Sequence, residues 1–194
     1  MNILKRNLPI FLTGLALLIV FAIIIAFSQV QNQENPGLTT VEGAELVAAH
    51  TYILGEPGAA FSLVVFTDYT SLEDAIYQET LQQLYGRNTR YLNIAFRHFP
   101  TTEEAFSVSK AAQIAGEQGK FWEYSAELYK RTLQEEQKSW SEGILVNLAD
   151  QLGMNTKEFQ EDLTKEGFDS IVKTDVKHGE LLGVKDTPTF FLNN

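Results

Sequence analysis

The stretch 66-FTDYTSLEDAIYQETLQQLYG-86 decides the fold, because it joins the end of an apolar strand to the start of a helix through a very short turn. The strand is predicted at Ser62–Thr67. Its run LVVF lacks polar alternation, which is typical of a strand covered on both faces. The helix is predicted to be amphipathic and to end near Gly86. Its apolar residues are Leu72, Ile76, Tyr77, Leu81 and Leu84.

The stretch 90-RYLNIAFRHF-99 predicts a second strand that ends at Pro100. Strand, helix and strand in this order predict a right-handed βαβ unit. Helices are then predicted at 102–118, 120–134, 139–153, 155–165 and 169–182, the third opened by the capping box Ser139-x-x-Glu142. Residues 189–194 return to strand character. We therefore predict one α/β domain at 51–194, with a helical insertion at about 102–182.

The N-terminal region predicts a membrane anchor. No charged residue lies between Asn7 and Asn32, and 8-LPIFLTGLALLIVFAIIIAF-27 is almost wholly apolar. At ~1.5 Å per residue, such a helix covers the ~30 Å hydrocarbon core of a bilayer. The prediction is a short terminus at 1–7, a transmembrane helix at 8–28 and a linker at 29–50. A cleaved secretory signal is the alternative, although its apolar region is typically about 7–15 residues.

Charge predicts how the chain is oriented and which partners it disfavours. Lys5 and Arg6 precede the apolar run and the next basic residue is Arg87, so the positive-inside rule places the N-terminus in the cytoplasm and the domain outside the cell membrane. Without Lys5 and Arg6, 13 basic and 25 acidic residues remain, a net charge of −12. This charge opposes binding to nucleic acid or anionic lipid. The chain contains no cysteine, which excludes disulfide bonds and thiol redox chemistry.

Four stretches resemble the DsbA-like branch of the thioredoxin superfamily, in matching order across Thr51–Asn193. They are 54-LGEPGAAFSLVVFTDY-69, 96-FRHFP-100, 111-AAQIAGEQGKFWEYSAELY-129 and 179-GELLGVKDTPTFFLN-193. The resemblance implies a thioredoxin-like fold with an inserted helical domain. It also implies a cis-proline loop at Thr187-Pro188 that lies against the strand-to-helix junction, with the backbone of Thr187 pairing with an extended peptide. The alternative is that Thr187-Pro188 only shapes the loop, since a cis X-Pro bond often serves a tight turn.

The sequence departs from this family at two places. The Cys-x-x-Cys motif falls on Ser71, Leu72, Glu73 and Asp74, with Ser71 and Asp74 at the cysteine positions. The resemblance therefore implies the fold, while no catalytic residue and no disulfide exchange are expected. Family members also continue past the strand at Thr189 into another strand and a closing helix. These elements are expected to be missing here, so that the sequence is either a fragment or leaves an unpaired edge strand.

The junction residues have a structural interpretation. Thr70-x-x-Glu73 and Ser71-x-x-Asp74 both match the capping box, and acids in the first turn complement the helix dipole. A nucleophilic serine would need a neighbouring base, and the sequence places none of the three histidines, His50, His98 and His178, beside Ser71. Capping is the predicted role of these residues.

Three functions remain open from the sequence. The first is a redox-inactive, membrane-anchored domain that binds extended or unfolded polypeptide, or a membrane or periplasmic protein partner, by strand addition at Thr187 and Pro188. The second is a glutathione-dependent enzyme, because Ser71 resembles the serine of kappa-class glutathione transferases. The third is a non-catalytic structural remnant of a disulfide oxidoreductase. No cofactor is expected, and neither histidine spacing nor a calcium-loop pattern predicts a metal site.

Three further residues have two interpretations each. Phe121 and Trp122 are either a peptide-binding platform or core residues, and helical spacing favours the core. Asp68, at the predicted strand end, is either a buried acid with a raised pKa or a solvated cap, and the cap is favoured.

Overall fold

The computed structural model describes residues 45–56, 59–134 and 139–192. Within these ranges the chain forms four strands and six helices. The strands are β1 (Tyr52–Leu54), β2 (Phe61–Thr67), β3 (Leu92–His98) and β4 (Thr189–Leu192). The helices are α1 (Leu72–Asn88), α2 (Glu103–Glu117), α3 (Phe121–Leu133), α4 (Glu142–Gln151), α5 (Thr156–Leu163) and α6 (Glu166–Leu181).

The strands form one mixed sheet in the order β1-β3-β2-β4. β2 and β3 are parallel, in a register that runs from Phe61↔Leu92 to Thr67↔His98, and α1 connects them. This arrangement confirms the predicted strand–helix–strand unit. β1 and β4 flank it as antiparallel strands. β1 was not predicted, because three residues are too few to show a period.

Both faces of β2 are covered, as its apolar run predicted. Leu63 and Val65 face a large core that also contains side chains from helices α1 to α5. Val64 and Phe66 face a smaller core beneath α6. At Gly179, α6 approaches the sheet so closely that a Cβ atom would lie 2.7 Å from the ring of Phe99. The predicted α/β domain, with helices covering both faces of the sheet, is therefore confirmed.

The helices after Pro100 are present with small shifts at their ends. The predicted capping residue of the third one was wrong, because Ser141 rather than Ser139 stands at the N-cap of α4. α6 begins at Glu166, three residues before its predicted start. The N-cap of α6 is Lys165, whose side chain makes no capping bond, so the sequence carries no capping signal there.

The predicted apolar face of α1 is the largest correction to the fold. Of its five apolar residues, Leu81 is buried, whereas the other four are between 41% and 57% exposed: Leu72, Ile76, Tyr77 and Leu84. The helix instead buries Asp74 and Ala75 together with Leu81. Apolar residues lie on both sides of α1, so their pattern does not specify which side faces the core.

Parts of the prediction concern residues outside these ranges. The predicted anchor at 8–28 and the turn at Pro57 and Gly58 lie outside the described residues. Among the residues that the structure does describe, no helix combines the length and apolarity needed to cross a membrane.

A buried ion pair joins β3 to α6 and to the segment that precedes β1. The Arg97 guanidinium donates from Nε to Asp175 Oδ1 at 2.7 Å, and both side chains are almost fully buried. Arg97 Nη1 also donates to the backbone oxygens of Glu45 at 2.5 Å and Leu46 at 2.6 Å. Burial by itself raises the pKa of the Asp175 carboxyl, but the His50 hydrogen bond and the Arg97 charge outweigh it, so this pKa lies below its ordinary value.

Histidines surround this ion pair. His50 Nε2 lies 2.6 Å from Asp175 Oδ1. Arg97 Nη2 donates to His178 Nδ1 at 2.9 Å, which requires a neutral imidazole because a guanidinium can only donate. Burial, together with the Arg97 charge, lowers the pKa of His178. Burial likewise lowers the pKa of His98, whose Nε2 lies 3.1 Å from Gln113 Oε1.

We expect the free energy of unfolding to fall on acidification. The lowered pKa values of His98 and His178 mean that the folded state binds fewer protons than the unfolded state. The contribution of the two histidines to the free energy of unfolding is therefore complete above their unfolded-state pKa of about 6.5. It is lost as the pH falls through their lower pKa values in the folded state. His178→Asn keeps an acceptor for Arg97 but does not titrate, so its stability should depend less on pH. Urea unfolding of the full chain at about pH 7.5 and about pH 5 measures this. An equal loss of stability in the unsubstituted chain and in His178→Asn would contradict the assignment of His178 as a neutral acceptor with a lowered pKa.

Candidate functional site

The candidate site lies where the end of β2, the start of α1 and the loop before β4 meet. Ser71 is the N-cap residue of α1, and its Oγ accepts a hydrogen bond from the backbone N–H of Asp74 at 3.2 Å. This is one half of the predicted capping box. The other half is absent, because the Asp74 carboxylate turns away from Ser71 towards the end of β2.

The Asp74 carboxylate is buried and accepts hydrogen bonds from three donors. Thr67 Oγ1 donates to Oδ1 at 2.6 Å, and the backbone N–H of Asp68 donates to the same oxygen at 3.0 Å. Thr187 Oγ1 donates to Oδ2 at 2.8 Å, across 113 residues of sequence. Because the one hydroxyl proton of Thr67 goes to Asp74, the Tyr129 hydroxyl donates to Thr67 Oγ1 at 2.6 Å. Burial raises the pKa of the Tyr129 phenol well above its ordinary value, which keeps it protonated as a donor.

Asp68 is a second buried carboxylate, so its prediction as a solvated cap was wrong. It is 1% exposed. Thr70 donates to Oδ1 from its backbone N–H at 2.8 Å and from its hydroxyl at 2.7 Å. Thr101 donates to Oδ2 from the same two groups, at 2.9 and 2.7 Å. Asp68 therefore fixes the loop after β3 to the end of β2.

The structure places Thr187 and Pro188 beside this junction. The peptide bond between them is cis. The side chain of Thr187 is held by Asp74, and no backbone hydrogen bond joins Thr187 to another described residue. Both residues are half-buried. The backbone of Thr187 thus keeps an N–H and a C=O with no partner in the described part of the chain.

The remaining predicted residues lie at different places. Leu72 and Glu73, the middle of the motif, are exposed. Phe121 is 2% exposed and stacks on Tyr52, with ring centroids 4.1 Å apart. Trp122 packs edge-on against Phe96 in the same core. The core interpretation of these two aromatic residues is therefore confirmed.

The chemistry available at the junction is that of hydrogen-bonded carboxylates. The hydroxyl of Ser71 caps a helix, and the recorded partners of the three histidines are Asp175, Gln113 and Arg97, not Ser71. In the ranges that the structure describes, no group of three or more potential ligands could hold a metal ion. Within the described residues, no hydrogen bond joins the Ser71 hydroxyl to a basic side chain, and the Asp74 carboxylate connects the end of β2 to the loop before β4.

The sequence did not identify Thr67, Thr101 and Tyr129 as partners of this junction. Thr67 follows an apolar run and ends β2. A polar residue at the end of a buried strand was the signal that could have identified it as a partner of the junction. Thr101 follows the second strand at the corresponding end of the sheet. Tyr129 lies 62 residues after Thr67, and nothing in a local pattern connects the two.

Comparisons with known proteins agree with the fold. A family model described as thioredoxin matches residues 48–194. The fold is similar to that of a thioredoxin-like oxidoreductase from Silicibacter pomeroyi DSS-3, with a TM-score of 0.67 and 20% identity, over 76% of this chain and 82% of that one. It is also similar to oxidised BdbD from Bacillus subtilis, with a TM-score of 0.67 and 20% identity, over 74% and 82%. Alpha-DsbA1 from Wolbachia pipientis gives a TM-score of 0.65 and 15% identity, over 75% of each chain.

Curated relatives with similar sequences are longer proteins. A Na(+)/H(+) antiporter, NhaA 1 of Mycobacterium sp. strain KMS, is 28% identical over 170 residues, which are 82% of this chain and 26% of the antiporter. The chain therefore spans about a quarter of the length of such relatives. The family match covers most of the chain, and the solved structures share its fold. The chain belongs to the thioredoxin family, and the resemblance described above predicts that Ser71 and Asp74 stand at the two cysteine positions of that family.

Proposed function

We propose that this protein is a membrane-anchored, redox-inactive thioredoxin-fold domain that binds extended polypeptide outside the cell membrane. The observation that carries the proposal is the hydrogen bonding of Thr187. Its side chain is fixed to the helix start through Asp74, while its backbone has no hydrogen-bonding partner among the described residues.

Redox inactivity rests on the chemistry of the two motif positions. Thiol–disulfide exchange requires a thiolate that attacks a disulfide sulfur. Ser71 offers a hydroxyl that already caps α1, and Asp74 offers a carboxylate with three donors. Neither group can form a mixed disulfide.

Polypeptide binding rests on strand addition, which uses backbone groups and needs no sulfur. An extended ligand would pair with the N–H and C=O of Thr187. The loop that presents these groups is attached to α1 by the Thr187–Asp74 bond, so little ordering is required when a ligand binds.

Hydrogen exchange tests the binding site directly. With carboxamidomethylated insulin B chain as the probe, the amide of Thr187 should exchange about fivefold more slowly, which corresponds to one net hydrogen bond of about 1 kcal/mol. The measurement uses the full chain in phosphatidylcholine nanodiscs and mass spectrometry of the segment that contains Thr187. The turn at Gly119, which joins α2 to α3, serves as the internal control and should not change.

Redox conditions provide the second control for this experiment. Because the chain has no cysteine, binding should be equal in dithiothreitol and in oxidised glutathione, and the protein should not accelerate insulin reduction. A bound probe that leaves the exchange of Thr187 unchanged would refute the proposed site.

The membrane anchor rests on two observations from sequence. Residues 8–27 form an uncharged apolar run of the length that a bilayer requires. The curated relatives in which a similar region occurs are named as antiporters, so this kind of domain occurs within membrane transport proteins. Both observations support attachment of the present domain to a membrane.

Membrane extraction checks the anchor. Leu18→Arg combined with Ile24→Arg should release the protein from carbonate-washed membranes, because Leu18 lies at the centre of 8–28, where an arginine costs about 2.5–3.5 kcal/mol, and Ile24→Arg adds a second charge within the span. Gln31→Arg combined with Gln33→Arg places the same charges in the predicted linker and should leave the protein in the pellet. Release of the unsubstituted chain by carbonate would show that 8–28 is not an anchor.

A further inference from the structure

A groove, which we call the α2–α6 groove, lies between these two helices at the end of the sheet where the candidate site is found. Its volume is about 520 Å³. Its apolar lining consists of half-buried side chains at Pro100, Phe106 and Val176, and its basic lining of the exposed Lys173 and Lys177. None of the lining residues belongs to β4 or to α1. The groove follows β3, an interior strand whose neighbours are β1 and β2.

Hydrogen bonds connect the α2–α6 groove to the candidate site. Thr101 lines the groove and donates to Asp68 Oδ2 from its backbone N–H and its hydroxyl. The backbone N–H of Asp68 donates to the carboxylate of Asp74, which also accepts the hydrogen bond of Thr187. Residues 182–186 alone join the end of α6 to Thr187. The groove is therefore close enough to Thr187 for one extended polypeptide to reach both.

The lysines along α6 and the loop after it differ from the other described lysines in their ion pairing. The others each pair with a carboxylate: Lys110, Lys120, Lys130, Lys157 and Lys165. Three exposed lysines make no ion pair with another described residue: Lys173, Lys177 and Lys185. In a chain whose formal net charge is −10, the cations that lack a described partner thus follow α6 towards Thr187.

Two acidic residues also line the groove, so its charge is not uniform. They are Glu103, at the start of α2, and Glu180, in the last turn of α6. Because the end of α6 leads to Thr187, Glu180 lies at the end of the groove nearer to that residue. Lys173 and Lys177 lie earlier on α6. The basic part of the groove is therefore the part farther from Thr187.

We propose that the α2–α6 groove binds an acidic segment of the extended polypeptide that pairs with Thr187. Lys173 and Lys177 are four residues apart on one helix and so lie on the same face, where each would hold a carboxylate of the ligand through a charge-assisted hydrogen bond. The apolar lining would contact a neighbouring side chain of the same segment. This inference rests on the proposed polypeptide binding and adds the class of polypeptide, one with acidic side chains beside the strand that pairs with Thr187.

Lysine acetylation in the full chain locates the acidic segment. The probes are two short synthetic peptides of serine, threonine and valine that differ only in carrying glutamates or glutamines at the same positions. With the protein in phosphatidylcholine nanodiscs, the glutamate peptide at about ten times its Kd should slow acetylation of Lys173 and Lys177 about tenfold, as mass spectrometry measures. Lys157, an exposed lysine of α5, is the internal control and should react at an unchanged rate.

Charge reversal then tests the selectivity for acidic polypeptide. The glutamate peptide should bind the unsubstituted chain roughly tenfold more tightly than the glutamine peptide, because two exposed ion pairs form. Lys173→Glu combined with Lys177→Glu should remove this preference, and so should high salt. Lys130→Glu combined with Lys157→Glu gives the same net charge at exposed positions outside the groove and should retain the preference. Circular dichroism checks that each variant is folded.

The outcomes separate this inference from strand addition. Equal affinity for both peptides, with slower exchange of the Thr187 amide, would overturn the acidic groove and leave strand addition intact. Protection of Lys173 and Lys177 without slower exchange at Thr187 would refute strand addition, and with it the claim that one polypeptide occupies both places. Protection by inorganic phosphate alone, or protection without peptide that grows with protein concentration, as for a second copy, would overturn the groove proposal as well.

Discussion

The carboxylate of Asp74 is the interaction on which the arrangement of the site depends. It accepts hydrogen bonds from the end of β2 at Thr67 and Asp68, and from the loop before β4 at Thr187. The same residue lies in the first turn of α1, where a negative charge complements the helix dipole. The Asp74 carboxylate therefore connects a strand end, a helix start and a loop. In the described part of the chain, the backbone of the half-buried Thr187 has no hydrogen-bonding partner.

Much of the fold could be predicted from local patterns. The uninterrupted run from Leu63 to Phe66 indicated a strand covered on both faces, and the helices after Pro100 follow their periodicity and breaks. β1 was missed because three residues show no period. The buried face of α1 was mispredicted because large apolar residues lie on both sides of that helix. That pattern does not specify which side faces the core, and the buried side is that of Asp74, Ala75 and Leu81.

One part of the candidate site, the helix cap at Ser71, could be predicted from the sequence, whereas the partners of the Asp74 carboxylate could not. The spacing of Ser71 and Asp74 indicated capping, and Ser71 does cap α1. The partner of Asp74 at Thr187 lies too far away in sequence for any local pattern to reveal it.

A double-mutant cycle on Asp74 and Thr187 tests the central claim most directly. Asp74→Ala, Thr187→Val and the combination are compared by urea unfolding, so that losses from Thr67 and Asp68 cancel and the pairwise energy remains. A hydrogen bond to a charged group predicts a coupling of about 1.5–3 kcal/mol. A coupling near zero would show that the two residues act independently and that Asp74 does not hold the loop.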